Sequence, residues 1–92
     1  MIVSFKHRGL KRLYERGDRS RIHPQQVEKI ELILADLAAA DRIEHLRRPG
    51  YRLHALRGRL ANRYAIDVTG NWRIVFGFEA GRAIEIDLVD YH

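Results

Sequence analysis

Asn71-Trp72-Arg73-Ile74-Val75-Phe76-Gly77-Phe78 is the stretch on which the fold turns. Side chains along a strand point alternately to opposite faces. Trp72, Ile74, Phe76 and Phe78 share one face, and Arg73, Val75 and Gly77 the other. Three aromatics and an isoleucine on one side predict a core face, with Arg73 held away from it. An arginine carried on so bulky a strand is a rigidly placed fork for phosphate.

The neighbours extend the pattern in both directions. After the turn signal Glu79-Ala80-Gly81-Arg82, Ile84, Ile86 and Leu88 alternate with Glu85 and Asp87, and Asp90-Tyr91-His92 follows. Alternation carried on from Leu88 puts Tyr91 on the open face with Asp90 and His92 opposite. It does not settle where a terminal His92 points. Upstream, Thr69-Gly70-Asn71 reads as a turn, and Tyr64, Ile66 and Val68 alternate with Ala65 and Asp67. Arg57-Gly58-Arg59 begins a loop that runs through Asn62. Pro49-Gly50 is a further turn signal, and Tyr51-Arg52-Leu53-His54-Ala55-Leu56 alternates with Tyr51, Leu53 and Ala55 on one side.

The first half is helical. Leu10, Leu13 and Tyr14 follow i, i+3, i+4 spacing and predict a helix over about 8–16, stopped by Gly17. Pro24 suits a first helical position. Val27, Ile30, Ile33, Leu34 and Leu37 then form one stripe to about Ala40, which reads as core packing. Residues 1–6 hold the β-formers Ile2, Val3 and Phe5 and predict a short strand. The sum is an α+β chain of order β-α-α-β-β-β-β. A curved, mostly antiparallel sheet carries the two helices on its hydrophobic face. Its open face is expected to present Arg52, His54, Asp67, Arg73, Glu85 and Asp87.

Composition bounds the function. Ninety-two residues, 46% hydrophobic and 32% charged, predict one globular domain over 1–92. The lack of cysteine excludes disulfides and thiolate metal sites and fits a reducing compartment such as the cytoplasm. No apolar run approaches the roughly 18 residues of a membrane helix, and the first residues lack the pattern of a signal peptide. The net charge is +5, and of the 17 basic residues only Lys6, Lys11 and Lys29 are lysines. Arginine binds phosphate bidentately and stacks on bases, so this bias favours a nucleic-acid partner over a merely soluble basic surface.

Ser4-Phe5-Lys6-His7, Tyr51-Arg52-Leu53-His54-Ala55-Leu56-Arg57-Gly58, Asn71-Trp72-Arg73-Ile74-Val75-Phe76 and the closing Asp90-Tyr91-His92 together resemble the HigB branch of the RelE-like toxins of bacterial toxin–antitoxin modules. The resemblance spans essentially the whole chain, and the Asn-Trp-Arg strand paired with Asp-Tyr-His is its specific part. It implies a ribosome-dependent endoribonuclease that cuts mRNA in the A site. The ribose 2′-OH would attack its own phosphate and leave a cyclic phosphate and a 5′-OH. That reaction needs a base, cationic donors for charge on phosphorus, and an acid for the leaving oxygen. It calls for no metal and no cofactor.

Carried over by position, His54 and His92 are the acid–base candidates and Arg73 and Arg57 the phosphate-stabilising ones. Asp90 would orient His92 or a substrate group. Tyr91 would stack on a base or donate its hydroxyl. Relatives often have lysine where Arg57 stands; arginine there keeps the charge and favours a phosphate clamp over proton transfer. A basic residue that relatives place before the second helix falls on Ile22, which leaves Arg21 as the RNA-contact candidate beside His23. The implied partners are a helix-turn-helix antitoxin, the ribosome and mRNA, with operator DNA met only through the antitoxin and no membrane. An inactive module on the same fold, binding antitoxin or RNA without cutting, is the alternative. A small DNA-binding regulator fits less well, because both helices are needed for the core. Arg73 also reads as a structural arginine pairing with Asp67 or Glu85 across the sheet. Trp72 and Phe76 read as core.

Overall fold

The computed structural model describes residues 1–58 and 62–91. Helix α1 spans Arg8–Arg16 and α2 spans Pro24–Ala39, both where the apolar spacing puts them. His7 caps α1, its Nδ1 accepting from the Leu10 N–H at 3.1 Å. Gly17 ends it in the left-handed conformation at φ 68°, and the N–H groups of Gly17 and Asp18 close onto Leu13 and Arg12. Pro24 opens α2. The strands are β1 (His54–Ala55), β2 (Arg63–Asp67), β3 (Trp72–Glu79) and β4 (Arg82–Asp90), in spatial order β1-β2-β3-β4 with every neighbour antiparallel. Leu10, Ile30, Ile33 and Leu37 of the helices meet Ile66, Ile74, Phe76 and Ile86 of the sheet, all fully buried.

Three features depart from simple alternation. Val75 pairs with Asp87 while Gly77 pairs with Ile84, so β4 carries one extra residue, and Glu85 takes φ +50° there. The bulge turns Ala83 and Ile86, three apart, into the core. Ile84, expected inside, instead lies beside Gly77 on the other face. The bulge also accounts for the first strand. Residues 1–6 run parallel to β4 but pair only as isolated bridges, Ile2 to Ala83 and Phe5 to Ile86, on either side of the extra residue. Finally, Trp72 is a correction: it opens β3 opposite Asp90, at the rim of the covered face, and is 37% exposed.

The expected strand over 51–56 shrinks to His54–Ala55 because Arg52 adopts φ +49° and interrupts the extended run. The segment before it is fastened to α2. Asp36 Oδ2 accepts from the Tyr51 hydroxyl at 2.5 Å and meets Arg48 Nε at 3.0 Å, while Lys29 Nζ donates to the Gly50 carbonyl at 3.0 Å. A one-turn 3₁₀ helix, Ile43–Leu46, unannounced by the sequence pattern, buries Leu46 and leads into this latch.

Burial and the Asp36 carboxylate push the Tyr51 phenol above its usual value near 10. The folded state therefore holds a proton that the unfolded chain gives up above about pH 10, so stability is full below that pH and falls above it. Tyr51→Phe is expected to cost about 1–3 kcal/mol at neutral pH, the worth of a hydrogen bond to a charged acceptor, and to flatten the alkaline loss. Urea titrations at pH 7 and above pH 10 read both effects.

Candidate active site

The register brings the polar residues of the open face into two adjacent rows. Asp67, Arg73 and Val89 form one; His54, Ala65, Val75 and Asp87 form the next. The β2–β3 turn that delivers Arg73 is tied to the helical layer, for Gln26 Nε2, buried, donates to Thr69 Oγ1 at 3.1 Å.

Arg73 is held on three sides. Its Nε lies 3.0 Å from Asp67 Oδ1, its Nη1 donates to the Asn71 carbonyl at 3.2 Å, and its guanidinium carbon lies 5.2 Å from the centre of the Tyr91 ring. Tyr91 is placed in turn by its own N–H, which donates to the Asn71 carbonyl at 2.8 Å. Arg73 is one-quarter exposed, enough to present its fork while its stem is fixed. Of the two cross-strand partners the sequence offers, it takes Asp67. Glu85 pairs instead with Arg63, whose guanidinium crosses Gly77; a Cβ on Gly77 would collide with it and lie 2.8 Å from Ile84 Cγ1.

His54 is exposed, and its Nδ1 lies 2.9 Å from the Arg52 carbonyl oxygen. A carbonyl only accepts, so Nδ1 is the donor in that contact, and Nε2 is turned away from it. Arg52 is 81% exposed at its side chain and places Nε 3.4 Å from Asp67 Oδ2. Arg52 thus connects the Asp67–Arg73–Tyr91 group, through its side chain, to His54, through its carbonyl.

The other expected site residues sit differently. Arg57 is exposed two residues past β1. Asp90 pairs with Trp72 in the ladder, so its side chain leaves the sheet opposite to Arg73. His92 lies outside the described residues. Arg21 is exposed in the loop between the helices, its Cβ over Gly9, and belongs to the helical layer. Ile22 beside it is a core residue, which explains an apolar side chain at that position.

One residue of the open face, Arg63, is missing from the sequence expectations. Arg63 reaches the open face by the same alternation that places Ala65 and Asp67; extending β2 back by one residue would have found it. With Lys6, Val75, Glu85 and Asp87 it lines a depression of about 110 Å³. Arg52 was placed on that face, but nothing in the spacing signalled that it would share Asp67 with Arg73.

A fixed guanidinium fork, a second exposed one and an exposed imidazole form a set suited to a phosphodiester. Such a fork can neutralise charge gathering on phosphorus, and an imidazole can take a proton from a hydroxyl.

Residues 3–92 match the family model described as the RelE-like toxin of the type II toxin–antitoxin system HigB. A protein named Endoribonuclease HigB, from Proteus vulgaris, is 42% identical over 92 residues, all of both chains. Two solved YoeB–YefM complexes from Staphylococcus aureus, one of them heterotetrameric, superpose with TM-scores of 0.60 and 0.61. They cover all of this chain and 95% of the matched one, at 16% and 17% identity, and so bear on the fold alone. Among the described residues no helix is long and apolar enough to cross a membrane. By sequence along its whole length and by architecture, the chain belongs to the RelE-like HigB toxins of type II toxin–antitoxin systems.

Proposed function

We propose that this toxin cleaves mRNA in the ribosomal A site, in the cytoplasm, with residues 1–92 acting as one domain. Its class, an endoribonuclease toxin, follows from the family and the full-length relative. As a type II toxin it has a protein antitoxin for a partner; we take that antitoxin to be a helix-turn-helix protein that alone meets operator DNA. The observation that carries the chemistry is the Arg73 fork, held by Asp67 and Asn71 on the open sheet face that also carries the exposed His54.

His54 Nε2 takes the proton of the ribose 2′-OH. The freed oxygen attacks the adjacent phosphorus while the bond to the 5′-oxygen breaks, leaving a 2′,3′-cyclic phosphate and a 5′-OH. Arg73 and Arg57 balance the charge on the phosphorane oxygens. His92 returns a proton to the leaving 5′-oxygen, and Asp90 orients it. Tyr91 offers its free ring face to a base of the splayed strand.

Induced expression with and without the antitoxin, followed by mapping of mRNA 5′ ends, tests this. Codon-phased cuts, relieved by the antitoxin and lost in His92→Gln, are expected. A folded, soluble protein that leaves growth and transcripts intact would instead describe an inactive module of the same fold.

A further inference from the structure

Asp67 stands at the meeting point of two guanidinium groups. Its Oδ1 lies 3.0 Å from Arg73 Nε and its Oδ2 lies 3.4 Å from Arg52 Nε. Asp67 itself is four-fifths buried, on the central strand β2, with its backbone N–H donated to the Tyr51 carbonyl at 2.8 Å. It is therefore the best-fixed member of the group, and it touches both arginines through Nε. Both contacts are ion pairs, and Asp67 Oδ1 is buried without a hydrogen bond among the described residues; the terminal amino groups stay available for another acceptor. On Arg73 one of these is spent on the Asn71 carbonyl, and the other end of the fork remains for an anion. On Arg52, which is 81% exposed, both terminal groups face solvent.

The charge count points the same way. One carboxylate between two guanidinium groups leaves a net positive charge at this corner of the open face. A polyanion finds a preset surplus there, and the carboxylate keeps two like charges close together without a bound ligand. Arg52 is held in place at some backbone cost, since it takes φ +49° without being glycine. That conformation also carries the carbonyl that accepts from His54 Nδ1.

We propose that Asp67 is a positioning residue that sets the Arg73 fork for the reacting phosphate and holds Arg52 beside it as a second fork for a neighbouring phosphate of the same strand. The inference rests on the ribonuclease reading. Arg52 then works in binding and Asp67 in the chemical step, through Arg73. Asp67→Asn keeps the shape and removes the charge, and an Arg73 fork no longer anchored at Nε is misplaced relative to the phosphorus.

Single-turnover cleavage of mRNA programmed into ribosomes, and of the same RNA free in solution, supplies the readout for Asp67→Asn, Arg73→Ala and the double variant. Asp67→Asn is expected to lower kcat by about 10- to 100-fold with KM nearly constant. In the Arg73→Ala background it is expected to cost little more, because the two residues act as a unit. Arg52→Ala is expected to raise KM more than it lowers kcat, and to reduce the salt dependence of binding to a non-cleavable 2′-deoxy strand by about 0.7 in log–log slope, one phosphate contact. An Asp67→Asn loss that is equal in both backgrounds would overturn the positioning role, and an unchanged slope in Arg52→Ala would overturn the second fork. If the wild type cuts free RNA and ribosome-bound RNA equally, the ribosomal reading falls while the cycle is still read on free RNA. If it cuts neither, the mobility of the Arg73 guanidinium in nuclear magnetic resonance relaxation, restricted in wild type and freed in Asp67→Asn, decides the anchoring, and the deoxy strand decides Arg52.

Discussion

Arg73→Ala is expected to reduce RNA cleavage by about 10²- to 10³-fold, the loss seen when one preorganised donor to a developing anion is removed. The fold gives reasons for so selective an effect. Arg73 springs from the middle strands of the sheet but contributes nothing to the packed face, where Ile74 and Phe76 on either side do that work. Its truncation leaves Asp67 with a second cation, Arg52, so the largely buried carboxylate is not abandoned. Both side chains of the Asp67–Arg73 pair are mostly buried, so its loss costs some stability, which Arg52 limits. Antitoxin capture is therefore expected to persist and thermal unfolding to drop modestly while cleavage collapses. Ribosome binding is expected to weaken much less than cleavage; equal losses in both would make Arg73 a docking charge.

Phe76→Ala is expected to produce the largest loss of stability. Phe76 is fully buried, stacks on Tyr64 at 5.9 Å between ring centres and meets Phe78 edge-on at 6.5 Å. Removing such a ring costs about 3–5 kcal/mol. Domains of this size hold only about 5–15 kcal/mol in all. A melting temperature lowered by well over 10 °C follows, at roughly 4–8 °C per kcal/mol, or outright failure to accumulate. Phe76→Leu, which fills most of the volume, is expected to cost less than half as much. Calorimetry of the two variants beside wild type measures the difference. Growth arrest by Phe76→Ala equal to wild type would contradict the role of this ring as the anchor of the strand bearing Arg73.

The helices and the central strands were legible because their signals are local. Spacing of 3.6 residues set α1 and α2, and alternation set β2 and β3 with their register-mates Asp67 and Arg73. The misplacements share a physical cause. Alternation assumes an uninterrupted ladder, and the residue inserted at Glu85 exchanged Ile84 for Ala83 in the core and split the pairing of residues 1–6. The left-handed turn at Arg52 likewise shortened β1, and no composition cue marks a non-glycine residue for that conformation. Trp72 was read as core from its parity alone, yet a residue at the end of a strand is covered only if something packs over that end. Within the site, alternation placed Tyr91 correctly beside Arg73. The Asp67–Arg52 contact depends on the turn at Arg52 and could not be read from spacing.

The proposed reaction cuts a ribosome-bound mRNA by transfer of phosphate to its own 2′-oxygen at the Arg73 corner of the open face. End-labelled mRNA with a defined A-site codon, incubated with the toxin in the presence and absence of ribosomes, tests it most directly. The predicted result is a cut inside that codon, with ribosomes only, leaving a 2′,3′-cyclic phosphate and a 5′-OH, and blocked by a single 2′-deoxy substitution at the cut. Cleavage that persists across the deoxy position, or that proceeds equally on naked RNA, would contradict it.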